Sequence, residues 1–211
     1  MDKKERMIDQ QLKGRDITDE NVLEAMRKVD RKTFVPENMK RHAYEDTPLP
    51  IGNDQTISQP YIVAYMAQTL EIKKDEKVLE VGSGCGYNAA VLAQLASHVY
   101  SIEIIEWLAD LAKKNIDAEG VENVSVRFGD GYKGWPEKSP FDKIILTAAT
   151  PEIPKPLKDQ LIVGGKILAP VSNSYQKLVL LEKTGDDEFI EHDMLHVRFV
   201  PMTGEARSRK F

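Results

Sequence analysis

Apolar residues recur at helical spacing through the first third of the chain and in strand-length blocks after it. Over residues 3–13, Met7, Ile8 and Leu12 share one helical face, and Gly14 supplies a stop. Thr18 is placed to cap a second helix whose Val22, Leu23, Met26 and Val29 recur every three or four residues. Pro36 breaks that pattern. Residues 46–53 (DTPLPIGN) read as extended and turn-rich, because each proline biases its predecessor away from helix. Ser58 stands as a cap ahead of Pro60, and Ile62, Val63, Met66, Ala67 and Leu70 form the buried stripe of a third helix.

From Lys77 onward strands and helices alternate. Residues 77–82 (KVLEVG), 98–103 (HVYSIE), 124–128, 143–148 (KIILTA) and 166–171 read as strands, with helices over 88–96 and 107–118. Such alternation predicts parallel βαβ units, hence an α/β fold with a doubly wound, mostly parallel sheet. Residues 178–182 and 195–200 follow with no helix between them, which predicts an antiparallel C-terminal hairpin at the sheet edge. The whole is expected to be one domain over 1–211, with an N-terminal helical segment (1–76) and a sheet (77–211).

Composition narrows the class. With 211 residues the chain can bury roughly 70% of its unfolded surface without a metal or disulfide. Lys and Arg number 29 against 34 Asp and Glu, a net charge of −5, which argues against a dedicated nucleic-acid binder but not against an acidic enzyme that touches RNA locally. One cysteine excludes an internal disulfide and suits a reducing cytosol. The opening MDKKERMIDQQ lacks the apolar core of a secretory signal, and no run approaches the ~20 apolar residues of a membrane span. A cytoplasmic protein without membrane or nucleic-acid partners is the expectation.

The chemistry concentrates in residues 78–90, VLEVGSGCGYNAA. A strand runs into Gly82, Gly84 and Gly86 and a helix follows at once, a place where a ligand can approach backbone unobstructed by Cβ atoms. Tyr87 stands where a dinucleotide fingerprint wants glycine, which disfavours a nicotinamide dehydrogenase. Ile167 after Gly165-Lys166, and Gln160 in place of the first glycine, exclude a P-loop. Glu103 ends the next strand, where a carboxylate can accept from both ribose hydroxyls or simply face solvent. Asp130 and Gly131 end the third strand; the carboxylate either accepts from an adenine amino group or belongs to a plain β-turn. His192 and His196, four apart without an HExxH context, read as surface histidines, and Arg207, Arg209 and Lys210 as a solvated tail.

Taken together, these features resemble S-adenosylmethionine-dependent methyltransferases with a Rossmann-like sheet. Four further segments narrow the resemblance: 44–52 (YEDTPLPIG), 55–64 (QTISQPYIVA), 140–151 (PFDKIILTAATP) and 197–204 (VRFVPMTG) are similar to motifs of protein-L-isoaspartate (D-aspartate) O-methyltransferases, collinear from about Met7 to Gly204. Asp54 replaces a glycine that often precedes QTIS, Val63 a histidine found in some relatives, and Cys85 a serine or other small residue. The resemblance implies methyl transfer from S-adenosylmethionine, leaving S-adenosylhomocysteine, to the α-carboxylate of an L-isoaspartyl residue in a damaged polypeptide. It implies no metal. It further implies cofactor contacts from Thr56, Ser58, Gly82, Ser83, Gly84, Cys85, Glu103, Asp130, Gly131 and Thr203. Ser58 is the expected catalytic residue, its hydroxyl orienting the attacking carboxylate, with a helix cap as the competing role. Thr203 could equally be a loop hydroxyl. The rival readings are a methyltransferase of the same fold acting on a small molecule or RNA, and a noncatalytic nucleotide-binding module. A carboxylate with a pKa near ~4 is already ionised at neutral pH, so no enzymic base is called for.

Overall fold

A computed structural model describes residues 2–172 and 175–208. Arg209 and Lys210 of the expected tail lie outside these. The first predicted helix forms in two parts: α1 (Lys3–Arg6), capped by Asp2, runs on as a π-helical stretch over Met7–Lys13. Met7, Ile8 and Leu12 are buried as their spacing predicts. Helix α2 (Glu20–Lys28) starts one residue later than expected. Its cap is Asp19, whose carboxylate accepts from the amides of Asn21 (2.8 Å) and Val22 (3.4 Å), while the Thr18 amide donates to the Gln68 side chain.

Residues 46–53 are not simply extended. Strands β1 (Leu49–Gly52) and β2 (Gln55–Ile57) pair as an antiparallel hairpin. Its turn carries Asn53 and Asp54 with φ of 49° and 55°, a conformation that short polar side chains tolerate. In α3 (Pro60–Leu70) the N-cap is Gln59, and Ser58 makes no capping bond. The first-turn amide of Tyr61 donates instead to Asp46 Oδ1 at 3.1 Å. A carboxylate from a distant segment has taken the role expected of Ser58. Val63, Met66, Ala67 and Leu70 are buried, and Ile62 is half-buried.

The sheet comprises β3 (Lys77–Val81), β4 (His98–Glu103), β5 (Val124–Phe128), β6 (Phe141–Leu146), β7 (Leu161–Ser172), β8 (Gln176–Lys183) and β9 (Phe189–His196), in the order β5-β4-β3-β6-β7-β8-β9. The first five run parallel, and β8 and β9 are antiparallel additions. Helices α4 (Tyr87–Ala93), α5 (Glu106–Ala118) and α6 (Lys155–Asp159) connect the parallel strands, and α7 (Glu205–Ser208) ends the described chain. Successive residues of β3 bury into opposite layers: Val78 joins the core built with the N-terminal helices, α4 and α5, and Leu79 the core with Phe141, Ile144 and Leu157. This is the doubly wound α/β fold that the alternation predicts, with its N-terminal helical segment and antiparallel C-terminal strands.

The last strand departs from expectation by several residues. β9 is Phe189–His196 rather than 195–200, and most of its side chains are exposed, so its sequence (FIEHDMLH) carries little apolar alternation. The more apolar 197–200 leaves the sheet. Gln176 accepts from the Phe199 amide (2.6 Å) and donates to its carbonyl (3.1 Å), while the Ala149 amide donates to the Val200 carbonyl (2.8 Å). That segment thereby runs along the carboxyl edge of the parallel strands, where strand order reverses between β3 and β6 and ligand crevices form in such sheets.

Candidate active site

The glycine loop after β3 is tied to its neighbours from both sides. The amides of Gly82 and Ser83 donate to the Ile102 carbonyl at 2.8 and 3.2 Å. Gly82 has φ +102°, and a Cβ there would collide with Thr147 Oγ1, which donates to the Gly82 carbonyl at 2.6 Å. Gly84 has φ +53°, and a Cβ would meet only Ile51 Cδ1, at 3.4 Å, on the hairpin above. The rest of its surroundings is open cavity.

Glu103 is held, not solvated. It is 6% exposed, with Oε2 accepting from the Gly84 amide (2.8 Å) and Oε1 from the Ile105 amide (3.0 Å). Each oxygen keeps a lone pair for a ligand hydroxyl. Beneath the loop, Ser83 Oγ lies 2.5 Å from Ser101 Oγ, Ser101 donates to Glu80, and Asn88 Nδ2 donates to Glu80 Oε1 at 2.8 Å. Burial pushes the Glu80 carboxyl up to about 7, against the opposing effect of the Ser101 and Asn88 hydrogen bonds. Cys85 is buried, and desolvation pushes its thiol up to about 11, so it packs rather than reacts.

Asp130 makes the turn contact weighed from the sequence. Its Oδ1 accepts from the Tyr132 amide (2.9 Å), capping a short 3₁₀ turn, and Oδ2 accepts from the Glu205 amide (2.8 Å). It also faces the cavity. Gly131 is glycine for a packing reason, since a Cβ there would run into the Val81 side chain.

One cavity brings all these groups together. It holds about 920 Å³, counting the part open to solvent. Gly82, Ser83, Gly84 and Cys85 bound it on one side, with Glu103, Asp130 and Gly131 at the strand ends. Thr56, Ser58 and Thr203 line it as well. Each of the ten residues singled out in the sequence therefore lines the same space. Sequence reasoning missed Gln55, Ile104, Ile105, Thr147 and Met202, which also line it. The pair Ile104-Ile105 directly follows the acidic strand end, a signal that was legible; Thr147 lay inside a quoted motif with nothing to mark its hydroxyl.

An adjoining groove shares Thr56, Ser58, Thr147 and Val200 with the cavity and adds the exposed Arg198 and His196. His196 is thus at the groove edge, whereas His192 sits exposed on β9. Ser58 stands where cavity and groove meet. It is half-buried, its hydroxyl hydrogen-bonds to no described residue, and its carbonyl accepts from Arg31 Nη1 at 2.7 Å. No group of three or more His, Cys, Asp or Glu among the described residues could hold a metal ion, and no described helix is long and apolar enough to cross a membrane.

Residues 2–207 match the family model for protein-L-isoaspartate(D-aspartate) O-methyltransferases. A protein-L-isoaspartate O-methyltransferase of Opitutus terrae is 52% identical over 204 residues, covering 96% of this chain and 87% of that protein. A solved protein-L-isoaspartate O-methyltransferase superposes with TM-score 0.89 at 31% identity, over 96% of this chain and 67% of the other. A Plasmodium falciparum structure described as an enzyme of the same kind, in complex with S-adenosyl-L-homocysteine, gives TM-score 0.83 at 25% identity, over 96% and 99% of the two chains. The cavity, the groove and the glycine loop thus sit on a chain that belongs to the protein-L-isoaspartate(D-aspartate) O-methyltransferase family.

Proposed function

We propose that this chain is a repair methyltransferase that transfers a methyl group from S-adenosylmethionine to the α-carboxylate of L-isoaspartyl residues in damaged polypeptides. The observation that carries the reading is that a cavity lined by the glycine loop, Glu103 and Asp130 adjoins a second groove, with Ser58 in the lining of both. The first presents the backbone and carboxylates that suit a cofactor; the second, edged by the exposed Arg198 and His196, is assigned to the peptide. The cavity fits the cofactor's chemistry: the bare Gly84 backbone leaves room, Glu103 and Asp130 present carboxylate lone pairs for hydroxyl and amino donors, and Ile104, Ile105 and Met202 supply apolar wall. When bound, S-adenosylmethionine supplies a methyl group activated by the sulfonium, and the electrons of the broken C–S bond remain on sulfur.

The protein's share is alignment. Glu103, Asp130 and the loop from Gly82 to Cys85 hold the cofactor, with Gly131, Thr56 and Thr203 along its cavity. The Ser58 hydroxyl, unpaired among the described residues, donates to the substrate carboxylate and aims one oxygen at the methyl carbon. Holding the reactants at near-attack distance can supply roughly 7–11 kcal/mol of the barrier. Outside the enzyme, the neighbouring backbone amide nitrogen, losing its proton, then attacks the ester carbonyl and methanol leaves, closing the succinimide.

Residues 1–76 and 77–211 act as a single domain, a reading supported by the core that runs unbroken from Met7 to Leu180. The net charge of −5 supports partners that are polypeptides rather than nucleic acid or anionic membranes, and the single cysteine suits a reducing cytoplasm. The test uses paired peptides differing only in an isoaspartyl or aspartyl linkage, incubated with S-adenosylmethionine and read by mass spectrometry. One methyl group on the isoaspartyl member alone is the expected result. Equal labelling of both, or of neither, overturns the reading.

A further inference from the structure

Arg31 is an anomaly for a surface-forming residue type. It follows Asp30 in the 3₁₀ turn after α2, and it is 0% exposed. No carboxylate among the described residues is in ion-pair contact with it. A buried cation without a counter-ion is costly unless every donor is used. Here the guanidinium fork is spent on three backbone carbonyls: Nε donates to Ala43 (2.8 Å), Nη1 to Ser58 (2.7 Å) and Nη2 to Thr47 (3.3 Å). Its Cζ lies over the Tyr87 ring, 5.2 Å from the centroid.

These partners are not arbitrary. Tyr87 begins α4 directly behind the glycine loop and lines the cavity. Ser58 is the residue at the junction of cavity and groove. Fixing its carbonyl fixes the peptide plane that follows it, and the pairing of Ile57 with Leu49 restrains the chain on the other side, so the remaining rotation about Cα–C that would swing the Cα–Cβ bond is limited from both ends. Asp46 completes the grip from the other side, accepting from Gln59 Nε2 (2.7 Å) and the Tyr61 amide (3.1 Å). The segment bearing the free hydroxyl is therefore set by side chains from outside it, and it spends none of its own hydroxyl on the task.

We propose that Arg31 is a positioning residue for methyl transfer, holding the Ser58 backbone in the one orientation from which its hydroxyl meets the substrate carboxylate. This rests on the reading that Ser58 touches the substrate. Lysine keeps the charge but offers a single nitrogen, which cannot span carbonyls spaced by a planar fork.

The test is a double-mutant cycle on the full chain with Arg31→Lys, Ser58→Ala and both together, read as kcat and KM for an isoaspartyl peptide. Melting curves and calorimetry with S-adenosylhomocysteine accompany each variant. Arg31→Lys should lower kcat by about tenfold or more, as a small displacement of an aligning group does. Peptide KM and S-adenosylhomocysteine affinity should stay within about threefold, and in the Ser58→Ala background the same change should cost less than about twofold in kcat. Full turnover by Arg31→Lys overturns the proposal. So do equal losses in both backgrounds, which would leave the Ser58 reading standing. Full turnover by Ser58→Ala in the Arg31 enzyme removes the reading on which the proposal rests, and the proposal with it. If Arg31→Lys does not fold, Arg31→Gln takes its place in the cycle; absence of a cooperative melt in both, even with saturating S-adenosylhomocysteine, assigns Arg31 to folding alone and overturns the proposal.

Discussion

Replacing Glu80 by glutamine should make the ligand-free protein progressively more stable than wild type as pH rises from about 4.5 to about 7. Glu80 is 0% exposed beneath the glycine loop, and burial raises its carboxyl from 4.5 to about 7. Between those values the native state keeps a proton that the unfolded chain has released. Native wild type therefore binds more protons than unfolded, and its stability falls with rising pH. The Glu80 contribution is fully present below pH 4.5 and is lost as pH passes through about 7. At about 1.4 kcal/mol per unit, a displacement from 4.5 to about 7 amounts to about 3 kcal/mol. Glutamine is neutral throughout and can still bond Ser101 and Asn88 once the Asn88 amide turns over. Other carboxylates titrate in both proteins and cancel in the difference. Urea unfolding of both proteins at pH 4.5, 5.5, 6.5 and 7.5 reads that difference directly; it should grow by about 3 kcal/mol across the series, or roughly 6–12 °C in Tm for a chain of this size. A difference constant within about 0.5 kcal/mol would show that Glu80 does not hold its proton in the native state, and the account of the network beneath the loop would be wrong.

Gly84→Val should abolish S-adenosylhomocysteine binding, because a branched side chain at φ +53° strains the loop and fills the cavity floor; wild-type affinity by calorimetry removes Gly84 from the site. Glu103→Ala should weaken cofactor binding by roughly 1.5–3 kcal/mol through loss of a charge-assisted hydrogen bond, and an unchanged titration would take Glu103 off the ribose. Because the nucleophile is a carboxylate already ionised, single-turnover methylation by the Glu80→Gln enzyme, which lacks the buried titration near pH 7, should be nearly flat between about pH 6 and 8 under saturating cofactor and peptide. The ester must be quenched quickly, since its own breakdown accelerates with pH; a tenfold rise per pH unit in such data would mean a required deprotonation and refute the base-free mechanism.

Local rules alone carried much of this protein. Apolar period separated helices from strands, and the strand–glycine–helix run at 78–90 located the loop around which the cavity forms. Glu103 and Asp130 were legible because a parallel sheet sends the ends of its strands to one edge, so their position in sequence implies their position in space. What could not be read locally was which distant group would satisfy a given backbone atom. Thr18 and Ser58 had the chemistry of helix caps, yet Asp19 and Asp46 took those roles, the latter from a segment whose fold was itself obscure. The path of 197–200 was decided by the Gln176 side chain and Ala149, against an apolar pattern that favoured another strand. The burial of Arg31 against three carbonyls has no trace in the residues beside it. Periodicity reports which face of an element is apolar, because that depends on neighbours a few residues away. The pairing of buried polar groups depends on what the chain brings together over tens of residues, and only the folded structure settles it.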